Sequence, residues 1–157
     1  MKIHKKMRKL IFVFIATALF AYSCGEKQVV TQAQLDQLAI EQFLTDNQLE
    51  AQSTASGLHY IISTAGSAEK PGDEASITVA YVGKLLDGSV FDQSTNFTGD
   101  LNQMIEGWQE GIPLIGAGGK IKLLIPSALG YGGQATGKIP ANSVLQFDVT
   151  LHSFTNP

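Results

Sequence analysis

The sequence predicts an α+β domain built on a mainly antiparallel sheet, and three observations carry that expectation. From Gly57 onward, apolar residues return at every second position in four separate runs, the spacing of strands with one buried and one wet face. Long helical stretches do not separate these runs, as the crossovers of a parallel sheet would require. Between the second and third runs lies a short helix-forming segment, Ile105-Glu106-Gly107-Trp108-Gln109-Glu110-Gly111, which holds the only tryptophan of the 157 residues. At 44% hydrophobic and 16% charged, the chain can bury one core.

The chain divides into three expected parts: a leader over 1–23, a tether and short helix over 24–56, and the main domain over 57–157. Five of the eleven basic residues fall in the first nine positions, and no acidic residue precedes Cys24. Leu10 to Tyr22 is then an apolar run of 13 residues, short of the roughly 20 that a membrane-spanning helix needs. A charged region followed by a short apolar one is the pattern of an export signal. It ends in Ala21-Tyr22-Ser23-Cys24, which resembles the lipobox of bacterial lipoproteins, with Tyr22 in place of the usual small residue. That resemblance implies lipidation of Cys24 and a membrane anchor in the bacterial cell envelope, the outer membrane being preferred. An ordinary signal peptide with an incidental cysteine is the alternative. One cysteine permits no internal disulfide, and no Cys/His cluster has metal-ligand spacing. Beyond the leader, six basic groups face fourteen acidic ones, a formal charge of −8, which argues against nucleic acid as a partner.

Thr31 is a candidate helix cap. After it, Leu35, Leu38, Ala39 and Phe43 share one helical face, with Asp36, Gln37 and Glu41 expected to point away. The helix should end near Asp46-Asn47. At about 15 residues it is marginal alone, so packing on the domain is preferred over a free spacer or dimerisation arm.

In the sheet region, Leu58, Tyr60 and Ile62 form the first alternating run. A turn at Glu69-Lys70-Pro71-Gly72-Asp73 leads to Ile77, Val79 and Tyr81. Ile121, Leu123 and Ile125 form the third run, and Leu145, Phe147, Val149 and Leu151 the last. His59 and His152 fall on the polar faces and are expected in solvent. In the helical segment, the two glycines are expected to let the backbone turn sharply. Trp108 is either core filler or the floor of a small apolar pocket.

Several segments then follow one another in a recognisable order. They are Val79-Ala80-Tyr81-Val82-Gly83-Lys84-Leu85-Leu86-Asp87-Gly88, Val90-Phe91-Asp92-Gln93-Ser94, Met104 to Gly111, Gly118-Gly119-Lys120, Leu124 to Gly132, and Ile139-Pro140-Ala141-Asn142-Ser143-Val144-Leu145. Over about residues 57–154 the chain resembles the FKBP-type peptidyl-prolyl cis-trans isomerases, the macrolide-binding immunophilins. The resemblance implies a twisted antiparallel sheet wrapped around one short helix near Gly107 to Ile115, with a pocket between them. It implies Trp108 as the pocket floor and Tyr81, Phe91, Met104, Ile105, Ile139 and Phe147 as walls. Asp92 and Tyr131 become the polar side chains, and the Ile105 backbone N–H a donor to bound peptide. The segment Thr95 to Gln103 is shorter than in many relatives, and Phe97 is expected to supply its aromatic wall residue. The loop Gly132 to Lys138 is expected to overhang the pocket as a flexible, polar stretch.

The implied activity is rotation of X–Pro bonds in proline-containing polypeptides during folding of exported or envelope proteins. It needs no metal or cofactor, and macrolides become candidate inhibitors of what is read as a monomer. Trp108, Asp92 and Tyr131 carry the expected catalytic roles. Asp92 is read equally well as a structural acceptor for a tyrosine hydroxyl or backbone N–H. The competing function is a non-catalytic module that binds peptides as a chaperone, since a fold does not by itself settle function.

Overall fold

The computed structural model describes residues 29–157; the leader, Cys24 and the first part of the tether lie outside them. Thr31 caps helix α1 (Gln32–Asp46): its Oγ1 accepts from Gln34 N–H while the Gln34 side chain accepts from Thr31 N–H, a reciprocal box that satisfies two end donors. Strands β1 (Gln52–Ser53), β2 (His59–Thr64), β3 (Ser76–Leu85) and β4 (Val90–Asp100) follow. Helix α2 (Glu106–Gly111), extended by a 3-10 turn over Ile112–Leu114, precedes β5 (Lys120–Ile125) and β6 (Leu145–Thr155). The six strands form one antiparallel sheet in the order β1-β2-β5-β6-β3-β4. Among the described residues no helix is long and apolar enough to cross a membrane.

One face of this sheet holds the main core. Ile77 and Val79 of β3, Ile121, Leu123 and Ile125 of β5, and Leu145, Phe147, Val149 and Leu151 of β6 all point into it, with Trp108 and Ile112 above them. The expected alternation therefore places β3, β5 and β6; in β2 it holds for Leu58 and Tyr60 and fails at Ile62, which is 37% exposed. It does not place β4, which the sequence reading left as a short motif followed by a loop. The reason is in the pairing. Val79 lies opposite Phe97, yet Tyr81 lies opposite Ser94, and Gly83 opposite Asp92, yet Lys84 opposite Val90. Two bulges each insert one residue into β4, and each insertion reverses which parity faces inward. No period-two pattern survives that, and Phe97 and Asp92, five positions apart, end up on the same side.

Helix α1 packs on the domain with a different face from the expected one. Asp36 is 2% exposed and Ile40 fully buried, whereas Leu35 and Leu38 are 49% and 59% exposed. Ile40 joins Leu124 and Val144 in a second small core, flanked by Ala39, Phe43 and Leu44. Gln37 also turns inward and donates to Gly57 O at 3.0 Å. Apolar count misjudged this helix because its inward face is anchored by a carboxylate and an amide. His152 is exposed as expected, but His59 is half-buried, with Nδ1 3.1 Å from Gly57 O.

The glycines of α2 act by closeness rather than by turning. Gly111 has ordinary right-handed helical angles (φ −84°, ψ −38°). A Cβ on Gly107 would stand 2.5 Å from Ile125 Cγ2, and one on Gly111 would stand 2.6 Å from Leu123 Cδ2. The helix lies almost directly on β5, which lets the Trp108 ring reach the sheet's aromatic side chains. Alanine at Gly107 would improve helix propensity by up to about 1 kcal/mol, but overpacking against a fully buried Ile125 costs about 1–3 kcal/mol. Gly107→Ala and Gly111→Ala should each lower stability in urea by about 1 kcal/mol or more. Gly133→Ala, whose nearest neighbour would be 3.6 Å away, should leave it unchanged.

Candidate active site

Trp108 is 4% exposed and sits in the first turn of α2, facing β3 and β6. Its ring meets Tyr81 at 5.1 Å and Phe147 at 5.3 Å between centroids, with interplanar angles of 83° and 80°. Phe97 stands 6.5 Å away at 80°, and Phe91 meets Phe147 at 5.4 Å and 82°. These edge-to-face pairs set positive ring edges against negative ring faces, the arrangement aromatic quadrupoles favour. Gly83 makes room for it: a Cβ there would lie 2.6 Å from Phe91 Cε2 and 2.8 Å from Phe147 Cε1. The indole Nε1–H is buried with no hydrogen-bond partner among the described residues, a cost of about 1–3 kcal/mol that the aromatic cluster outweighs.

Above the indole opens a cavity of about 500 Å³. Every side chain expected at the site lines it: Tyr81, Phe91, Asp92, Phe97, Met104, Ile105, Trp108, Tyr131, Ile139 and Phe147. Gln103, Thr136, Gly137 and Lys138 line it too; the last three belong to the loop Gly132 to Lys138 expected to overhang the pocket, whereas Gln103 was not expected there. The loop expected to be flexible forms a tight turn here, in which Thr136 and Ile139 exchange backbone hydrogen bonds of 2.9 Å each way. Gly137 supplies its left-handed residue (φ +57°). That turn seats Ile139, 6% exposed, in the cavity wall. A larger depression of about 830 Å³ lies on the sheet around Lys120, Lys122, Thr150 and Asp148. Tyr81 is its single lining ring, and Lys122 and Lys84 both bond to Asp148 there, whereas the smaller cavity gathers six aromatic side chains, so the chemistry points to the smaller one.

The polar groups of the site are few. The Tyr81 hydroxyl donates to Asp92 Oδ2 at 2.6 Å, and Gln93 N–H donates to Asp92 Oδ1 at 2.9 Å. Asp92 is itself solvent-exposed. It therefore does the work of a structural acceptor while remaining within reach of a ligand. Burial first, then the hydrogen bond to Asp92, the Asp92 charge and Tyr131, holds the Tyr81 phenol far above the usual tyrosine range. Tyr131, 39% exposed, stands at the rim. Ile105 precedes α2 in an extended conformation (φ −60°, ψ 149°) and its carbonyl accepts the Trp108 N–H at 2.8 Å. Its own N–H lies outside the helical ladder and is free to serve a ligand. Gln109 Nε2 donates to Met104 O at 2.7 Å and pins this entry to the helix. Among the described residues no three His, Cys, Asp or Glu side chains converge as a metal cage.

Comparison with known proteins places this geometry in context. Residues 67–152 match the family described as FKBP-type peptidyl-prolyl cis-trans isomerase. The FKBP-type peptidyl-prolyl cis-trans isomerase FkpA of Aeromonas hydrophila is 39% identical over 140 residues, covering 82% of this chain and 52% of that protein. The crystal structure of FkpA from Escherichia coli superposes with a TM-score of 0.70 at 36% identity, covering 75% of this chain and 58% of that one. A peptidyl-prolyl cis-trans isomerase structure from Pseudomonas syringae pv. tomato str. DC3000 gives a TM-score of 0.68 at 29% identity, over 78% of this chain and 96% of that one. The chain thus spans about half the length of the Aeromonas relative.

The raised Tyr81 phenol has a consequence at high pH. Above the ordinary tyrosine value of about 10, the unfolded chain loses this proton while the folded chain keeps it. The folded state then binds more protons than the unfolded state, so stability must fall as pH rises through that range. Between about pH 9.5 and 11.5 the urea midpoint of the natural chain should fall more steeply than that of Tyr81→Phe. Parallel curves would show that the phenol titrates normally.

Proposed function

We propose, from the premise that this chain belongs to the FKBP-type peptidyl-prolyl cis-trans isomerase family, that it accelerates rotation of X–Pro bonds in polypeptides. The observation that carries the reading is the buried indole of Trp108, ringed by aromatic edges, beneath an open cavity walled mainly by aromatic and aliphatic side chains, with Tyr81, Asp92 and Tyr131 as the polar groups around the ring floor and Gln103, Thr136 and Lys138 also in its lining. The barrier to amide rotation is about 18–20 kcal/mol, because resonance makes the C–N bond partly double. Halfway round, that resonance is gone and the carbonyl oxygen carries less negative charge. Water therefore stabilises the planar amide more than the twisted one. A proline ring resting on Trp108, between Tyr81, Phe91 and Phe147, brings its peptide bond into a site with little water. The twisted form then gains relative to the planar one, and each 1.36 kcal/mol of that difference is tenfold in rate.

Each polar group has a role in this scheme. The Ile105 N–H and the Tyr131 hydroxyl hold carbonyls on either side of the proline. Asp92 keeps the Tyr81 hydroxyl in place and sets a negative charge near the carbonyl carbon of the twisted amide. Phe97, Met104 and Ile139 close the walls. None of these steps makes or breaks a covalent bond. Macrolides of proline-like shape should compete for the same cavity.

Export and anchoring complete the proposal. Residues 1–23 serve as the leader, Cys24 becomes the lipidated terminus, and residues 57–157 act as a monomeric isomerase domain on exported chains in the cell envelope, at the outer membrane. The charge pattern of the leader supports this. Several acyl chains at about 0.8 kcal/mol per buried methylene are ample to hold the protein on a bilayer.

A proline-limited refolding assay tests the activity. The natural chain should accelerate the slow phase, and Trp108→Leu, which keeps an apolar side chain in the floor, should reduce kcat/KM at least tenfold. Acceleration that is equal in both proteins would remove the catalytic reading. Quenching of Trp108 fluorescence by a proline peptide, with no acceleration, would make this a binding module instead. Anchoring has its own measurement. The natural chain expressed in a bacterial host should enter the detergent phase, and Cys24→Ala should move to the aqueous phase; identical partitioning would rule lipidation out.

A further inference from the structure

Helix α1 lies outside the segment matched by the family, yet it reaches the active-site rim through one buried carboxylate. Asp36 and Ser127 are each 2% exposed. The backbone N–H of Ser127 donates to Asp36 Oδ2 at 2.8 Å, and Ser127 Oγ donates to the same oxygen at 2.6 Å. Gln32 Nε2 donates to the other oxygen, Oδ1, at 2.6 Å. A buried carboxylate is tolerated only when donors satisfy it. Here both long-range donors belong to a single residue, 91 positions away in the chain. An apolar side chain would have filled the same space, but it would not select Ser127.

Ser127 is the pivot of the turn that presents Tyr131. It follows Pro126 at the end of β5 and begins the 3-10 turn Ser127–Leu129. Its carbonyl accepts from Gly130 N–H at 3.0 Å and from Gly132 N–H at 2.8 Å. Tyr131 thus sits between two residues that are both tied to Ser127, while Ser127 N–H and Oγ are tied to Asp36. The Tyr131 side chain is 39% exposed, so packing does little to fix it. Its position comes from the backbone of this turn, and the turn is held by the helix.

We propose that Asp36 is a positioning residue for the isomerase site, acting through Ser127 to set the Tyr131 hydroxyl at the cavity rim. The inference rests on the isomerase reading for its effect on rate, but not for its effect on Tyr131. Two measurements on the full chain in detergent separate the two. In the refolding assay, Asp36→Ala should lower kcat/KM about five- to tenfold, and Tyr131→Phe by a similar factor. The double variant should lose no more than either alone, because both remove the same hydroxyl from its place. Gln42→Ala, on the outward side of the same helix, should match the natural chain. Losses that multiply in the double variant would overturn the proposal, since they would mean Asp36 acts only on general stability. The second measurement is fluorine NMR of the chain carrying 3-fluorotyrosine, with the Tyr131 signal identified by its loss in Tyr131→Phe. Asp36→Ala should shift or broaden that signal and leave the Tyr81 signal in place; an unmoved Tyr131 signal refutes the link. If Asp36→Ala does not fold, Asp36→Asn, of the same shape, is read in its place by the same criteria. A natural chain without isomerase activity would overturn the function proposed above, while the fluorine signal would still decide whether Asp36 sets Tyr131.

Discussion

The close approach of α2 to β5 is the constraint on which the rest depends. Six residues of helix must cover the inner face of a six-stranded sheet. They can do so only by lying within a side chain's thickness of it. Gly107 and Gly111 remove the atoms that would hold the helix off, and Trp108 between them becomes the one large group at the centre. A single indole then satisfies two demands. It fills the core from above, and its upper surface is left as the floor of an opening between the helix, β3, β4 and β6. The aromatic walls follow from the same geometry, since rings arriving from three strands around one indole meet it edge-on.

How far the sequence discloses such a molecule depends on the kind of signal each element leaves. Strands β3, β5 and β6 keep their alternation over most of their length and face one core, so alternation reveals them, and it reveals the start of β2 through Leu58 and Tyr60. Strand β4 is an edge strand broken by two bulges, and its inward residues Asp92, Ser94 and Phe97 obey no single period. Its role at the site was legible only through the order of motifs. Helix α1 shows the opposite failure. Its expected stripe named Leu35 and Leu38, which are exposed, and left out Ile40, which is buried together with Asp36, whose partner Ser127 lies on a distant turn that no local pattern reveals. Thr136, Gly137 and Lys138 belong to the loop expected over the pocket but were not named singly, and Gln103, at the end of a 3-10 turn, was not expected in the lining. They reach the site because of turn geometry, and turn geometry at Gly137 is written in a single glycine that could serve many other purposes.

The hydrogen bonds of the site meet the structural reading of Asp92 and leave its catalytic role as part of the proposal above. Its oxygens accept from Tyr81 and from Gln93, which is the structural role. Yet it remains in solvent at the mouth of the cavity, and its charge faces the space above the indole. The bond to Tyr81 locks a phenol that would otherwise compete for a ligand carbonyl. It leaves Tyr131 as the other phenol lining the cavity, at the rim. For the proposed rotation of a less polar, twisted amide this restraint is favourable, because each additional free donor on the reacting carbonyl would stabilise its planar form.

That division of labour gives the peripheral helix its significance. Tyr81 is fixed by the sheet and by Asp92, whereas Tyr131 stands on a turn between two glycines. Something must supply for Tyr131 what packing supplies for Tyr81. The described structure offers the Asp36 carboxylate, reaching across from a helix whose outward face, with Leu35 and Leu38, is left uncovered while its inward face is bonded to Ser127. A helix retained merely to hide apolar surface would have buried those leucines. This one buries Ile40 against Leu124 and Val144 and, beside it, the Asp36 carboxyl group bonded to the turn that carries Tyr131.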